Sequence, residues 1–296
     1  MNNFDDIFND NNTPANGQNN QLSKEDYAAK KKTEREEIFA LSDNTAMEVA
    51  SDGSKFQQYL DVQSNFDRYS AVNTLLILAQ KPEATRIGDY DYWKDKGGFV
   101  KQGQTGFYIL EPREYAKEDG KPGIGYNLKK MFDISQVDVR KLVKTTPPTY
   151  TERQILAALI SKAPVKITGV DELPGDLGAM TNPETGEISV RKNMIFSDSF
   201  RSIAQELAAA DLTTGPDTQA DLAFSAYCAS YILCKKYGAD TKAFSFGDAP
   251  SLFEGMDAQD IKGELTQIRD VVADINGRMT KHLDAVSKAA KNNEAR

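Results

Sequence analysis

Pro147-Pro148, flanked by Thr145, Thr146 and Thr149, sits at the middle of this chain. Proline donates no backbone hydrogen bond, so neither a helix nor a sheet continues through the pair, and the segment reads as a stiff connector. It divides 296 residues into two blocks, each of a size that can hold its own core. The reading is an Asn- and Asp-rich tail over 1–22, a first domain over 23–144, a linker over 145–150, a second domain over 151–286 and a flexible tail over 287–296. Both blocks mix helical and strand-like patterns, which makes each an α+β domain.

The first block opens with a charged helix over 23–50, where Lys30-Lys31-Lys32 stands beside Glu34, Glu36 and Glu37. A single helix is expected over 54–80, with Phe56, Tyr59, Leu60, Phe66, Tyr69 and Leu75 to Leu78 along its apolar stripe, ended by Lys81-Pro82. A short helix over 89–96 stops at Gly97-Gly98. Residues 99–110 alternate like a hairpin around Gly103 and Gly106, residues 113–125 read as a polar loop, and 126–134 as a returning strand. The second block reads as a helix over 151–162, a strand over 165–168, a hairpin over 179–190 and helices over 198–212 and 217–237. A last helix over 257–286 repeats Ile261, Leu265, Ile268, Val272, Ile275, Met279, Leu283 and Val286 at spacings of three and four, a near-heptad stripe able to pack internally or on a second copy.

Charge and cysteine usage narrow the function classes. Net charge is -8, with -3 in residues 1–22, 0 in 23–150 and -5 in 151–296, while 81–144 carries 13 basic against 10 acidic residues, or +3. That excludes a broad basic stripe but leaves one mildly positive stretch. No apolar run reaches the roughly 20 residues of a membrane span, and no secretory signal is visible. Cys228 and Cys234 lie six apart on one helix and point to different faces, so a mutual disulfide is not expected and a reduced, cytoplasmic setting is.

Tyr69-Ser70, Asn73, Leu76-Ile77, Gln80, Pro82, Ala84-Thr85, Trp93, Gly97, Val100-Lys101, Gly103 and Gly106 form a pattern that continues in Phe132-Asp133-Ile134-Ser135-Gln136. It resembles the N-terminal domain of the ArdC-type antirestriction proteins, a single-stranded-DNA-binding family carried by plasmids, integrative elements and phages. The resemblance implies a DNA-binding face, for which the candidates are Arg68, Tyr69, Asn73, Gln80, Arg86, Trp93, Lys94 and Lys101. They belong to an interleaved set of aromatics, Tyr90, Tyr92, Phe99 and Tyr108 among them, and cations including Lys81 and Lys96. Such a mixture suits strand binding and equally suits a small core with a solvated rim. Asn73 and Gln80 read either as contacts or as caps on buried backbone, and the indole of Trp93 also reads as a core anchor. The family's hairpin reads Gly-Arg-x-Val-Lys-Lys-Gly-Glu-Lys-Gly. Here Lys101 persists, while Gly98, Gln102 and Thr105 stand where basic groups are expected, which implies weaker, less salt-dependent binding.

Relatives of this type also carry a zincin-like metallopeptidase domain whose helix reads His-Glu-x-x-His, two imidazoles one turn apart holding zinc and a glutamate activating its water. The matching segment here is Gln205-Glu206-Leu207-Ala208-Ala209. Glutamine is a poor zinc ligand and alanine none, and the next helix has no glutamate, with Ser225 or Tyr227 at the expected third-ligand position. A replacement set of Cys228, Cys234 and His282 lacks a workable spacing. The expectation is a non-enzymatic, cofactor-free and metal-free protein of a mobile element or phage, binding single-stranded DNA. The alternative is a protein-binding pseudoenzyme directed at a host or phage protein.

Overall fold

The computed structural model describes residues 23–116, 120–140, 148–213 and 222–294; the expected N-terminal tail and residues 145–147 of the proline linker lie outside the described residues. Three helices come first: α1 (Lys24–Ser51), α2 (Gly53–Asn65) and α3 (Ala71–Gln80). The single helix expected over 54–80 is broken at Phe66–Ser70. Gln63 Nε2 donates to the Phe66 carbonyl at 3.1 Å, and Arg269 donates to the carbonyls of Tyr69 at 3.1 Å and Arg68 at 3.3 Å. These side chains satisfy the acceptors that a continuous ladder would have used. Apolar periodicity carries no trace of partners so distant in sequence.

The chain divides into two compact units, Met1–Thr45 with Leu76–Lys144, and Ala46–Leu75 with Thr145–Arg296. The uninterrupted block 23–144 read from the sequence therefore differs from the observed division, because residues 46–75 pack with the second unit.

In the first unit, β1 (Ile87–Gly88) and α4 (Tyr90–Asp95) precede β2 (Phe99–Val100), β3 (Phe107–Ala116), β4 (Pro122–Asp133), a 3-10 turn (Ile134–Gln136) and β5 (Val137–Asp138). β3 and β4 pair antiparallel from Phe107↔Met131 to Ala116↔Pro122, and β1 adds antiparallel to β4. The hairpin expected over 99–110 does not form, since β2 pairs with β5 through Phe99↔Asp138 and Val100↔Val137. Gly97 and Gly103, at φ 81° and 78°, turn the chain in left-handed conformations that favour glycine and make 101–106 a connector between two sheets. Strand pairing also enters both ends of the expected 113–125 loop. Trp93, Phe132 and Val137 form a core cluster, with Tyr92, Val100 and Ile134 packed against it.

The edge of β3 is closed by side chains. Tyr108 turns its N–H and C=O outward, and both pair with the Gln80 amide at 2.9 and 2.8 Å. Pro112 follows four residues later at an outward-facing position, where no N–H is left for an approaching strand.

The second unit contains α5 (Glu152–Ile160), β6 (Ile167–Val170), β7 (Ala179–Thr181), β8 (Ile188–Arg191), α6 (Phe196–Thr213), α7 (Leu222–Tyr237), α8 (Ala249–Leu252) and α9 (Ala258–Glu294). β8 is central, parallel to β6 and antiparallel to β7. α2 lays Phe56 on Phe224 of α7, ring centroids 5.5 Å apart, and Tyr231 donates to Asp61 at 2.7 Å. Ile261, Leu265, Ile268, Val272, Ile275, Met279 and Leu283 of α9 are buried, and α9 packs on α5, α6 and α7. Of the two readings of the stripe, packing inside its own unit is the one observed for these residues. The tail expected from 287 is helical as far as Glu294. Among the described residues, no helix is long and apolar enough to cross a membrane.

Candidate nucleic-acid interface

Asp89 starts α4 by accepting from the Tyr92 N–H at 2.7 Å, and the helix is so short that Tyr92 and Trp93 point to adjoining sides of it. Trp93 is fully buried, and its Nε1 donates to the Phe132 carbonyl at 3.0 Å. Exposed Arg86 lies over this pair, its guanidinium carbon 5.4 Å from the indole centroid and 5.9 Å from the Tyr92 ring, with Nη2 donating to the Tyr92 hydroxyl at 3.0 Å. Lys96 approaches Tyr92 from elsewhere, 6.0 Å from the centroid. Two cations thus share one aromatic platform, a geometry that is mutually attractive and leaves their charge available to an anion.

The turn after β4 fixes this platform from below. Asp133 is buried, and its Oδ1 accepts from the N–H groups of Thr85 at 2.8 Å and Arg86 at 3.1 Å, while Oδ2 accepts from Ser135 N–H at 2.8 Å. Burial raises the pKa of this carboxyl, but the hydrogen bonds from Ser135, Thr85 and Arg86 outweigh it and hold the pKa below the usual aspartate value. Gln136 closes the motif, accepting from Asp133 N–H at 2.9 Å and donating to the Thr105 carbonyl at 2.7 Å. The segment Phe132-Asp133-Ile134-Ser135-Gln136 is thus a latch joining the Arg86 backbone to the loop that carries Lys101.

The sequence candidates divide sharply on this frame. Arg86, Lys94 and Lys101 are exposed in the first unit, Lys101 donating to the Ser135 carbonyl at 2.8 Å. Trp93 cannot stack on a base, because none of its surface is exposed. Gln80 is committed to the backbone of Tyr108 and Leu76. Arg68, Tyr69 and Asn73 fall in the second unit: Arg68 is exposed, Tyr69 is half-buried edge-on to Phe66, and Asn73 is buried. Tyr90 and Phe99, 55% and 50% exposed, are better placed than Trp93 to meet a base. The signal for Phe99 lay in strand alternation, which turns Val100 and Val137 inward and leaves Phe99 outside. At Gly98 a Cβ would stand 2.8 Å from Val137 Cγ1, so the position that carries arginine in the family has no room here for a side chain unless Val137 moves.

The second unit does not assemble a metal centre from the residues expected of one. Gln205, Glu206 and Ala209 lie half-buried along α6. Glu206 Oε2 accepts from the N–H and hydroxyl of Thr181 on β7, at 3.0 and 2.5 Å, and so ties the helix to the sheet. Ser230 donates to the Arg201 carbonyl at 2.9 Å and Asp240 N–H to Ser197 at 2.8 Å, so α7 runs antiparallel to α6. Ser225 instead borders a small cavity with Glu264, and Tyr227 accepts from Ser245 N–H at 2.7 Å. Cys228 and Cys234 are buried free thiols, their pKa values raised by burial, that of Cys234 to about 12. His282 shares a hydrogen bond with Ser161 at 2.9 Å. Among the described residues, no three His, Cys, Asp or Glu side chains gather as a metal site, and this donor set does not fit zinc.

Two comparisons show what the chain is similar to. Residues 32–151 match the family model of the N-terminal domain of anti-restriction factor ArdC. The Mn(II)-bound crystal structure of the antirestriction ArdC protein from plasmid R388 is similar with a TM-score of 0.52 at 14% identity, covering 82% of this chain and 97% of that one. The metal-free structure of that protein gives 0.46 at 16% identity, covering 72% and 86%. No curated protein matches the chain. The fold is the α+β architecture of the ArdC proteins. Residues 32–151, which hold the motif of Tyr69 to Gly106, are thus similar to the N-terminal domain of ArdC.

Proposed function

We propose that this protein binds single-stranded DNA through the Arg86, Tyr92 and Lys96 surface, with Lys94, Lys101, Tyr90 and Phe99 at its margins. The observation that carries this reading is a pair of cations held on one aromatic platform, neither in an ion pair with a carboxylate among the described residues. Phosphates are attracted by the charge, and bases by the exposed rings of Tyr90 and Phe99. Similarity of residues 32–151 to the ArdC N-terminal domain supports protection of incoming DNA against host restriction as the role, exercised in the cytoplasm of a bacterial host by occupying the strand and not by cleaving anything. Anisotropy of a labelled single strand against a duplex control tests it.

The second unit, on this proposal, is a zincin-like scaffold without peptidase activity. Its support is the replacement of both imidazoles by Gln205 and Ala209 and the engagement of Glu206 by Thr181. The purified protein is expected to hold no stoichiometric zinc or manganese by elemental analysis, and tightly held metal would contradict this.

A second reading, a surface for a host or phage protein, draws on a groove of about 400 Å³ in this unit lined by Met47, Pro250, Phe253, Met256 and Ile261. Flexible methionines suit adaptable apolar contacts. Absence of single-strand binding together with capture of a defined protein would favour it.

A further inference from the structure

We infer that Arg86 serves as a stacking shelf for a nucleobase and not as a phosphate clamp, an inference that rests on the single-strand reading above. Its guanidinium is held in place before any ligand arrives. One nitrogen donates to the Tyr92 hydroxyl at 3.0 Å, and the group lies over the Trp93 indole at 5.4 Å. The backbone beneath is pinned twice: the Arg86 N–H donates to Asp133 and the Arg86 carbonyl accepts from the Ile134 N–H at 2.8 Å. Trp93 is fully buried while Arg86 is exposed, so the cation forms part of the cover of the indole and meets solvent on its outer side.

A phosphate clamp aims two N–H groups of one guanidinium at the same anion. Here one of the five N–H groups is committed to the Tyr92 hydroxyl and the guanidinium is held over the indole. What remains available is a planar, delocalised face, on which unpaired bases stack as they do on aromatic side chains. Lysine carries the same charge but offers no such plane. The arrangement also sets a preference. A base in the flipped-out, single-stranded state reaches the shelf, and one inside a duplex stack does not. Stacking of this kind tolerates any base, so the shelf selects for strandedness and not for sequence.

The test compares the wild type, Arg86→Lys and Arg86→Ala on a labelled oligothymidylate and on a strand of the same length made of abasic sites, at two salt concentrations. The shelf predicts that both variants lose about tenfold in affinity for the oligothymidylate. It predicts that Arg86→Lys changes little on the abasic strand and keeps the wild-type salt slope. Arg86→Lys binding within about twofold of wild type, or an equal loss on both strands, overturns the shelf while leaving single-strand binding intact. Failure of the wild type to bind either strand removes the DNA reading itself and the shelf with it. Emission from Trp93 and the melting temperature confirm that each variant is folded.

Discussion

Trp93 and Gln80 illustrate what a single residue type can and cannot reveal before its surroundings are known. An indole in a six-residue helix has few ways to be satisfied except inward, and Trp93 is indeed buried with its N–H on the Phe132 carbonyl. Trp93→Phe removes that hydrogen bond and opens space in the core. It is expected to cost about 2–4 kcal/mol, measured by chemical denaturation. Gln80 was ambiguous in the sequence because its two partners lie 28 residues away on Tyr108. Gln80→Ala is expected to destabilise the protein by about 1–3 kcal/mol, for loss of both edge hydrogen bonds. The folded variant should bind single strands as the wild type does, and a loss of affinity at equal stability would return Gln80 to the interface. Arg86 was legible as a cation but not as an oriented one, since its platform depends on the fold of residues 89–93 and on the turn at 133–136.

The elements came through the sequence with their types largely right and their partners often wrong. Strand-like residues 99–110 are strands, yet β2 and β3 join different sheets, because alternation reports a face and not a neighbour. The helix α6 was readable from its apolar frame, but the tie of Glu206 to Thr181 was not, since β7 enters from 25 residues away. The latch after β4 makes its own prediction. Asp133 has a folded pKa held below its unfolded value, so its stabilising effect is full above about pH 4 and is lost as the pH falls through the folded pKa. Acid titration of the wild type should show stability declining across that low-pH window. Asp133→Asn should be less stable near neutrality and should lose this part of the acid dependence. An unchanged acid profile in the variant would show that Asp133 contributes no linkage.

At the scale of the whole molecule, the proline pair suggested one clean cut, and the observed division is interleaved instead. The apolar face of α2 was visible in the sequence as Phe56, Tyr59 and Leu60, but nothing in its period says which core receives it, and that core lies on α7. A fragment of residues 23–144 would leave those three side chains without their cover. It is expected to aggregate or to melt well below the full chain, and a monomeric fragment with a cooperative, full-chain-like transition would refute the observed division. The central claim concerns the function of the intact chain, and the most direct test is fluorescence anisotropy of a labelled single-stranded oligonucleotide with a duplex control at two salt concentrations. The account predicts micromolar or tighter binding to the single strand, weakened by salt and preferred over duplex. No single-strand binding at low salt, or equal affinity for duplex, would contradict it.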